Sequence, residues 1–137
     1  GYGPNKASAG MPLQNMVLNA LAGKPTDLTG LAENRTEAPV YVKDLARGYG
    51  LLHLAESLPH VLYNISSGNS YSLIELAETV RELIPGAEIR LGPPSPDEIP
   101  FCPDISRAKE DVGYVPEYAG VKEGTKAWLD YLQNGKY

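Results

Sequence analysis

Leu13, Met16, Val17, Ala20 and Leu21 keep the i, i+3, i+4 spacing of one helix face. Pro12 stands at its entrance, and Gly23-Lys24-Pro25 supplies the stop. This pattern predicts a first helix. Thr26 to Ala38 is polar and turn-rich, with only Leu28-Thr29-Gly30 strand-like, and Val40-Tyr41-Val42 is then a short run suited to a buried strand. Asp44 is placed to cap a second helix whose apolar face would use Leu45, Tyr49, Leu52 and Ala55. Gly48 and Gly50 each cost that helix about 1 kcal/mol relative to Ala, which points to close packing there. Val61-Leu62-Tyr63-Asn64-Ile65 reads as a strand, and Ser66 to Ser70 as the turn leaving it. Ser72 and Glu75 form an S-x-x-E capping box ahead of Leu73, Leu76, Ala77, Val80, Leu83 and Ile84, a helix that ends at Pro85-Gly86. Glu88 to Leu91 is a short alternating strand. Gly92 to Pro103 holds five prolines and is an extended loop, and Asp104 would cap a brief helix ending near Gly113. A last helix from about Val121 to Gln133 would bury Val121, Trp128, Leu129 and Leu132.

The order helix, strand, helix, strand, helix, strand, helix, helix predicts an α/β fold. Three short strands make a narrow sheet, however, and the two most apolar ones read as buried on both faces, as if flanked by further sheet. Composition agrees with a loop-rich chain: 137 residues with 14 glycines and 12 prolines, about one residue in five. The formal net charge of -5 argues against a broad basic face for nucleic acid. No stretch approaches the roughly 20 apolar residues of a membrane span, and no secretory pattern opens the chain, so no membrane partner and a cytoplasmic location are expected. The first methionine is Met11, and Gly1-Tyr2-Gly3-Pro4 reads like the interior of a chain, so the sequence is expected to be part of a longer protein, a processed terminus being the alternative.

Chemistry is sparse. The chain has no G-x-G-x-x-G, phosphate-loop, H-E-x-x-H or G-x-S-x-G motif. His53 and His60 stand alone and are read as surface or hydrogen-bonded residues, and Cys102 as a small buried hydrophobe, so neither a metal site nor a nucleophile is expected. Asp44, Asp97 and Asp104 sit where caps and turns need carboxylates. Arg35, in a polar loop, is either a solvated charge or a clamp for phosphate or carboxylate, because its planar fork suits both anions.

Four stretches, in order, resemble the C-terminal portion of the extended short-chain dehydrogenase/reductase family, the NAD-dependent epimerases and dehydratases. Tyr2-Gly3-Pro4 is similar to the segment after the sixth Rossmann strand, and Val40 to Ala46 to the V-x-V-x-D-[LV]-A strand-to-helix junction. Tyr63 to Gly68 with Ser72-Leu73-x-Glu75-Leu76 is similar to Y-N-[IV]-x-S-G...S-L-x-E-L. Asp104 to Ala108 with Val112-Gly113-Tyr114-x-Pro116 is similar to D-x-S-[KR]-A...L-G-[WY]-x-P.

The resemblance implies an α/β fold made of a C-terminal substrate-binding lobe plus the last strand-helix-strand of an NAD(P)-binding Rossmann fold. The division would be 1–39 as the start of the lobe, 40–69 as the strand-helix-strand that extends the Rossmann sheet, and 70–137 as the rest of the lobe. It implies NAD or NADP, held mainly by a missing N-terminal half that would also carry the catalytic Y-x-x-x-K pair. No catalytic residue is therefore expected here, and the chain alone is expected to be inactive. The implied partners are that half, a sugar-like substrate and, for the whole protein, a second copy in a homodimer.

Members that bind a sugar nucleotide place an arginine seven residues before the junction aspartate, where this chain has Glu37. They place a second at the head of an R-x-G-D segment, where it has Pro94 while keeping Asp97. Each missing clamp would contribute about 1.5–3 kcal/mol. Arg35 is two residues early and would serve only if the loop were rearranged. Thr29, Arg35 and Asp97 are the candidate substrate contacts by position. The implied function is the substrate-binding part of an NAD(P)-dependent sugar or nucleotide-sugar epimerase or dehydratase. The alternatives are part of a dehydrogenase for a free sugar acid or hydroxy acid, and a non-catalytic small-ligand module.

Overall fold

A computed structural model describes Tyr2 and residues 11–135. Helix α1 (Pro12–Leu21) begins where Pro12 spends no backbone donor and already has a helical φ. Strand β1 (Thr26–Ala32) follows, then β2 (Thr36–Glu37), α2 (Val42–Leu54), β3 (Tyr71–Ser72), α3 (Leu73–Leu83), β4 (Ile89–Gly92), α4 (Ser106–Val112) and α5 (Val121–Asn134). β1 and β4 pair in parallel with Thr26 opposite Ile89 and Leu28 opposite Leu91, and β2 and β3 pair antiparallel with Thr36 opposite Ser72. This is the expected α/β class, with a parallel pair that needs a helical crossover.

The core lies between α1, α3 and α5 and the parallel pair. Met16, Val17, Leu73, Leu76, Ala77 and Val80 are wholly buried there, closed by Trp128 and Leu129 of α5. The capping box forms as read: Ser72 Oγ accepts from Glu75 N–H, and Glu75 Oε2 accepts from Ser72 N–H at 2.7 Å.

Several expectations are corrected. Thr26 to Ala32 is a strand, because β4 supplies the backbone partners that no local pattern reveals. Val40 to Val42 shrinks to one parallel bridge between Tyr2 and Tyr41, and Val42 opens α2. Gly3-Pro4 of that match, like residue 1, lies outside the described residues. Val61 to Ile65 forms no strand among the described residues, and Val61 and Leu62 point into solvent. Asp44 is the third residue of α2, behind Tyr41 at the cap. The α2 face expected to be apolar and covered leaves Tyr49 exposed, whereas Asp44 and Gly48 are buried. Ile105 occupies the α4 cap position, with Asp104 Oδ1 accepting the Ser106 N–H at 2.9 Å. Leu132 and Cys102 are exposed, and the Cys102 thiol donates to Gly68 O at 3.4 Å from the surface.

Candidate functional site

In parallel sheets, ligands collect outside the carboxyl ends of the strands. Here that edge is built from the ends of β1 and β4 and the loops that leave them. The β1–β4 register is irregular between Leu28 and Ala32, so residues 29 to 31 arch over the end of β4. Gly92 permits the arch: a Cβ there would lie 2.6 Å from Thr29 O and 2.7 Å from Leu31 O, a clash with fixed backbone.

A reciprocal side-chain to backbone clasp joins the two loops. Asn34 Nδ2 donates to Ser95 O at 2.8 Å, and Ser95 N–H donates to Asn34 Oδ1 at 2.9 Å. Phe101 N–H adds a bond to Thr36 Oγ1 at 2.9 Å. The loop with five prolines is thus fastened at two points to the β1–β2 connection.

The three candidate contacts all fall on this edge, in different settings. Thr29 sits on the arch, exposed, with its N–H and hydroxyl both donating to Asp27 Oδ1 at 3.0 and 2.7 Å. Those two bonds hold the Asp27 carboxyl below the usual carboxylate range. Asp97 is exposed in the loop after β4, and its N–H donates to Ser95 Oγ at 3.2 Å. Arg35 follows the clasp residue Asn34, but its guanidinium pairs with Glu37 at 3.2 Å and not with Asp97. Its backbone is tied on both sides, N–H to Ala32 O at 3.1 Å and O to Leu73 N–H at 2.9 Å. The clasp itself was not anticipated from sequence, since its partners lie 61 positions apart and nothing local marks Asn34 or Ser95.

The Y-x-x-x-K spacing that the resemblance places in the missing half also occurs within this chain. That spacing occurs at Tyr2/Lys6 and at Tyr118/Lys122. Tyr118 precedes α5, its ring packs on Tyr41, and its N–H donates to Asp44 Oδ2 at 2.8 Å, while Lys122 pairs with Glu82. The two side chains do not share one helix face and form no proton relay. Tyr2 is buried against Tyr41 and Trp128, and burial raises its phenol far above the ordinary value. Lys6 lies outside the described residues.

The motif residues outside this edge prove to be fasteners. Buried Asp44 accepts the Glu117 and Tyr118 N–H groups, each at 2.8 Å. Tyr114 OH donates to Ser66 O at 2.8 Å, and burial, with Asp44 nearby, pushes its phenol up to about 12. Tyr63 OH and His60 Nδ1 both meet Asp111 Oδ2, at 2.7 and 2.8 Å, which ties the stretch before Ile65 to α4. A cleft of about 330 Å³ opens beside that tie, lined by Leu51, Leu54, Ala55 and Val112. Glu56, Ser57 and Asp111 complete its lining, and the edge above β1 and β4, where the three candidate contacts fall, is the better candidate. Among the described residues no group of three or more His, Cys, Asp or Glu side chains is placed to hold a metal, and no helix is long and apolar enough to cross a membrane.

No family model matches the chain. It is 34% identical over 119 residues to UDP-glucuronic acid decarboxylase 6 of Arabidopsis thaliana, covering 85% of this chain and 34% of that protein. The chain therefore spans about a third of the length of the curated relatives it matches. Among solved structures, the GalE-like L-threonine dehydrogenase from Cupriavidus necator in its holo form matches with a TM-score of 0.77 and 27% identity, over 94% of this chain and 44% of that one. The UDP-glucuronic acid 4-epimerase from Bacillus cereus, in complex with UDP-glucuronic acid and NAD, matches with a TM-score of 0.77 and 20% identity over 98% of this chain and 43% of that one.

Proposed function

We propose that this chain, a homologue of nucleotide-sugar enzymes with the fold of the NAD-dependent epimerases and dehydratases of the extended short-chain dehydrogenase/reductase family, is the C-terminal, substrate-binding part of such an enzyme. The carrying observation is the co-linear match of 85% of the chain to a third of a UDP-glucuronic acid decarboxylase. In this reading NAD or NADP and the proton-transferring pair belong to a preceding Rossmann half, and a homodimer in the cytoplasm is the working form of the whole protein. When bound, the nicotinamide would accept and return hydride. This chain's part is to bind and orient the sugar with the edge that carries Thr29, Arg35 and Asp97 and to keep water from it.

The proposed division draws on part of the packing, while Tyr41 and Asp44 of the middle segment also pack on the lobe. Residues 1–39 and 70–137 make one lobe, supported by α1 against α3 and β1 beside β4. Residues 40–69 are the crossover to the Rossmann sheet, supported by the exposed Val61 and Leu62.

The test is to titrate the 137-residue chain with NAD and with UDP-glucuronic acid while following backbone amide shifts and turnover. UDP-glucuronic acid is expected to move the amides of Asn34 and Ser95 without turnover. Tight NAD binding, or product formation, by this chain alone would overturn the division of labour. A second reading, part of a dehydrogenase for a phosphate-free hydroxy acid, is favoured by Glu37 and Pro94 at the two expected arginine positions. It also draws on the 27% identity to a structure described as an L-threonine dehydrogenase. Oxidation of a free hydroxy acid, with no turnover of UDP-sugars by the complete protein, would decide for it.

A further inference from the structure

We propose that Glu37 sets the charge of the ligand this edge accepts: it competes for the Arg35 guanidinium, so that a diphosphate is disfavoured against a ligand carrying one negative charge. The inference rests on the reading that substrate lies over the carboxyl ends of β1 and β4.

The two side chains are companions by backbone geometry. Successive residues of an extended chain alternate between faces, and Thr36 directs its hydroxyl to Phe101 N–H of the proline-rich loop. Arg35 and Glu37 therefore share the other face, where their charges meet at 3.2 Å. Arg35 thus reaches the neighbourhood of position 37 without any rearrangement of the loop, contrary to the expectation from spacing alone.

Both residues are also held in place. Arg35 is tied to Ala32 and Leu73, and Glu37 stands in register opposite Tyr71 on β3. The carboxylate cannot leave with a loop movement when an anion arrives; it can only rotate aside. Arg35 keeps 46% of its side chain exposed and Glu37 27%, so a ligand can reach the guanidinium while the carboxylate stays beside it. Arg47 shows the contrast: its guanidinium is spent on Val115 O, Asp44 and Glu117, and it has no role at this edge. A ligand with one negative charge shares Arg35 with Glu37 at modest cost, whereas the adjoining charges of a diphosphate meet the carboxylate at close range.

The experiment titrates the 137-residue chain with UDP, and separately with inorganic pyrophosphate, in wild type, Glu37→Gln, Arg35→Gln and the double variant, reading affinity and amide shifts together. Glu37→Gln is isosteric and surface-facing. It is expected to tighten UDP and pyrophosphate by about two- to fivefold, the range open to an exposed ion pair. The gain should shrink as salt is raised and vanish in the double variant. Equal affinity of wild type and Glu37→Gln, with shifts at Asn34 and Ser95, overturns the role of Glu37 and leaves the placement of substrate standing. A gain that survives Arg35→Gln also overturns it, by showing that the carboxylate acts without its partner. Shifts confined to other surfaces, or no binding in any variant, overturn the placement of substrate and this inference with it.

Discussion

The three-helix core and the stretch from Leu54 to Ile65 both carry closely spaced apolar residues, and they meet opposite ends. On α1, α3 and α5 the apolar positions fall on faces that meet one another, and Met16, Leu76, Val80 and Trp128 lose contact with water. Along the other stretch, Leu54 is 81% exposed, Leu62 64%, and Val61 stands free of neighbours. Burial stabilises in proportion to the apolar area withdrawn from water, so the first region holds the fold together and the second contributes little to it. Yet the second is not loose. Asp111 holds His60 and Tyr63, Asn64 Nδ2 donates to Asp104 O, and Tyr114 holds Ser66, so an apolar edge is presented on a polar frame. That arrangement suits a segment kept in shape for a partner surface, which is the place the proposed function gives to a Rossmann sheet.

The contrast breaks most visibly by emptying the core. Trp128→Ala should lower the unfolding free energy of the chain by about 3–5 kcal/mol, because truncating a buried aromatic loses transfer energy and leaves a cavity. Urea denaturation followed by circular dichroism measures it. A loss under 1 kcal/mol would mean that the core is not where stability resides. Next comes the fastener between α2 and the segment that precedes α5. Asp44→Asn keeps the shape of the side chain but removes the charge that receives two N–H groups, and should cost about 1.5–3 kcal/mol, the range of a hydrogen bond to a charged group.

A pair of glycine substitutions on α2 sharpens the comparison within one helix. A Cβ on Gly48 would lie 2.5 Å from Ile65 Cγ2 and 3.2 Å from the Tyr114 ring, so Gly48→Ala should destabilise by about 1–3 kcal/mol through overpacking. Gly50 faces open space, and Gly50→Ala should stabilise by up to about 1 kcal/mol from helix propensity. Thermal unfolding of the two variants should therefore move in opposite directions, and movement in the same direction would contradict the packing of Ile65 on Gly48.

Local order was legible where a residue's partners lie within a few positions. The faces of α1 and α3 and the Ser72/Glu75 box needed only the chain's own periodicity. β1 was legible only at Leu28-Thr29-Gly30, because Thr26 pairs with Ile89 through a crossover and Asp27 and Gly30 favour turns. Val61 to Ile65 presents the opposite case: its composition suits a buried strand, but among the described residues no strand pairs with it. At the candidate site, Arg35 and Glu37 stood out as residues, while their shared face became visible only with the β2–β3 register. Asp44 and Tyr114 were legible as parts of a motif, and the structure assigns them to holding loops.

The tie at Asp111 gives a pH signature. Hydrogen bonds from His60, then from Tyr63, hold its carboxyl below the usual carboxylate range. A carboxyl lowered on folding contributes stability that is fully present above its unfolded value and is lost as pH falls through the folded one. Wild type should therefore lose stability on acidification more steeply than Asp111→Asn, with the two curves converging at the most acidic pH. Parallel curves of unfolding midpoint against pH would show that the tie carries no charge-dependent stability.

The smallest effect is expected where apolar residues are most prominent. Val61→Thr and Leu62→Gln should leave the unfolding free energy of the 137-residue chain within about 0.5 kcal/mol of wild type, since Val61 is fully exposed and Leu62 mostly so in this chain. The same substitutions in the complete protein should be far more costly if residues 61 to 65 enter a Rossmann sheet, because each polar group would then be buried on a sheet face. The two measurements need each other. A large loss in the isolated chain would show that the stretch already packs on its own lobe, and a negligible loss in the complete protein would remove the crossover from the proposed division.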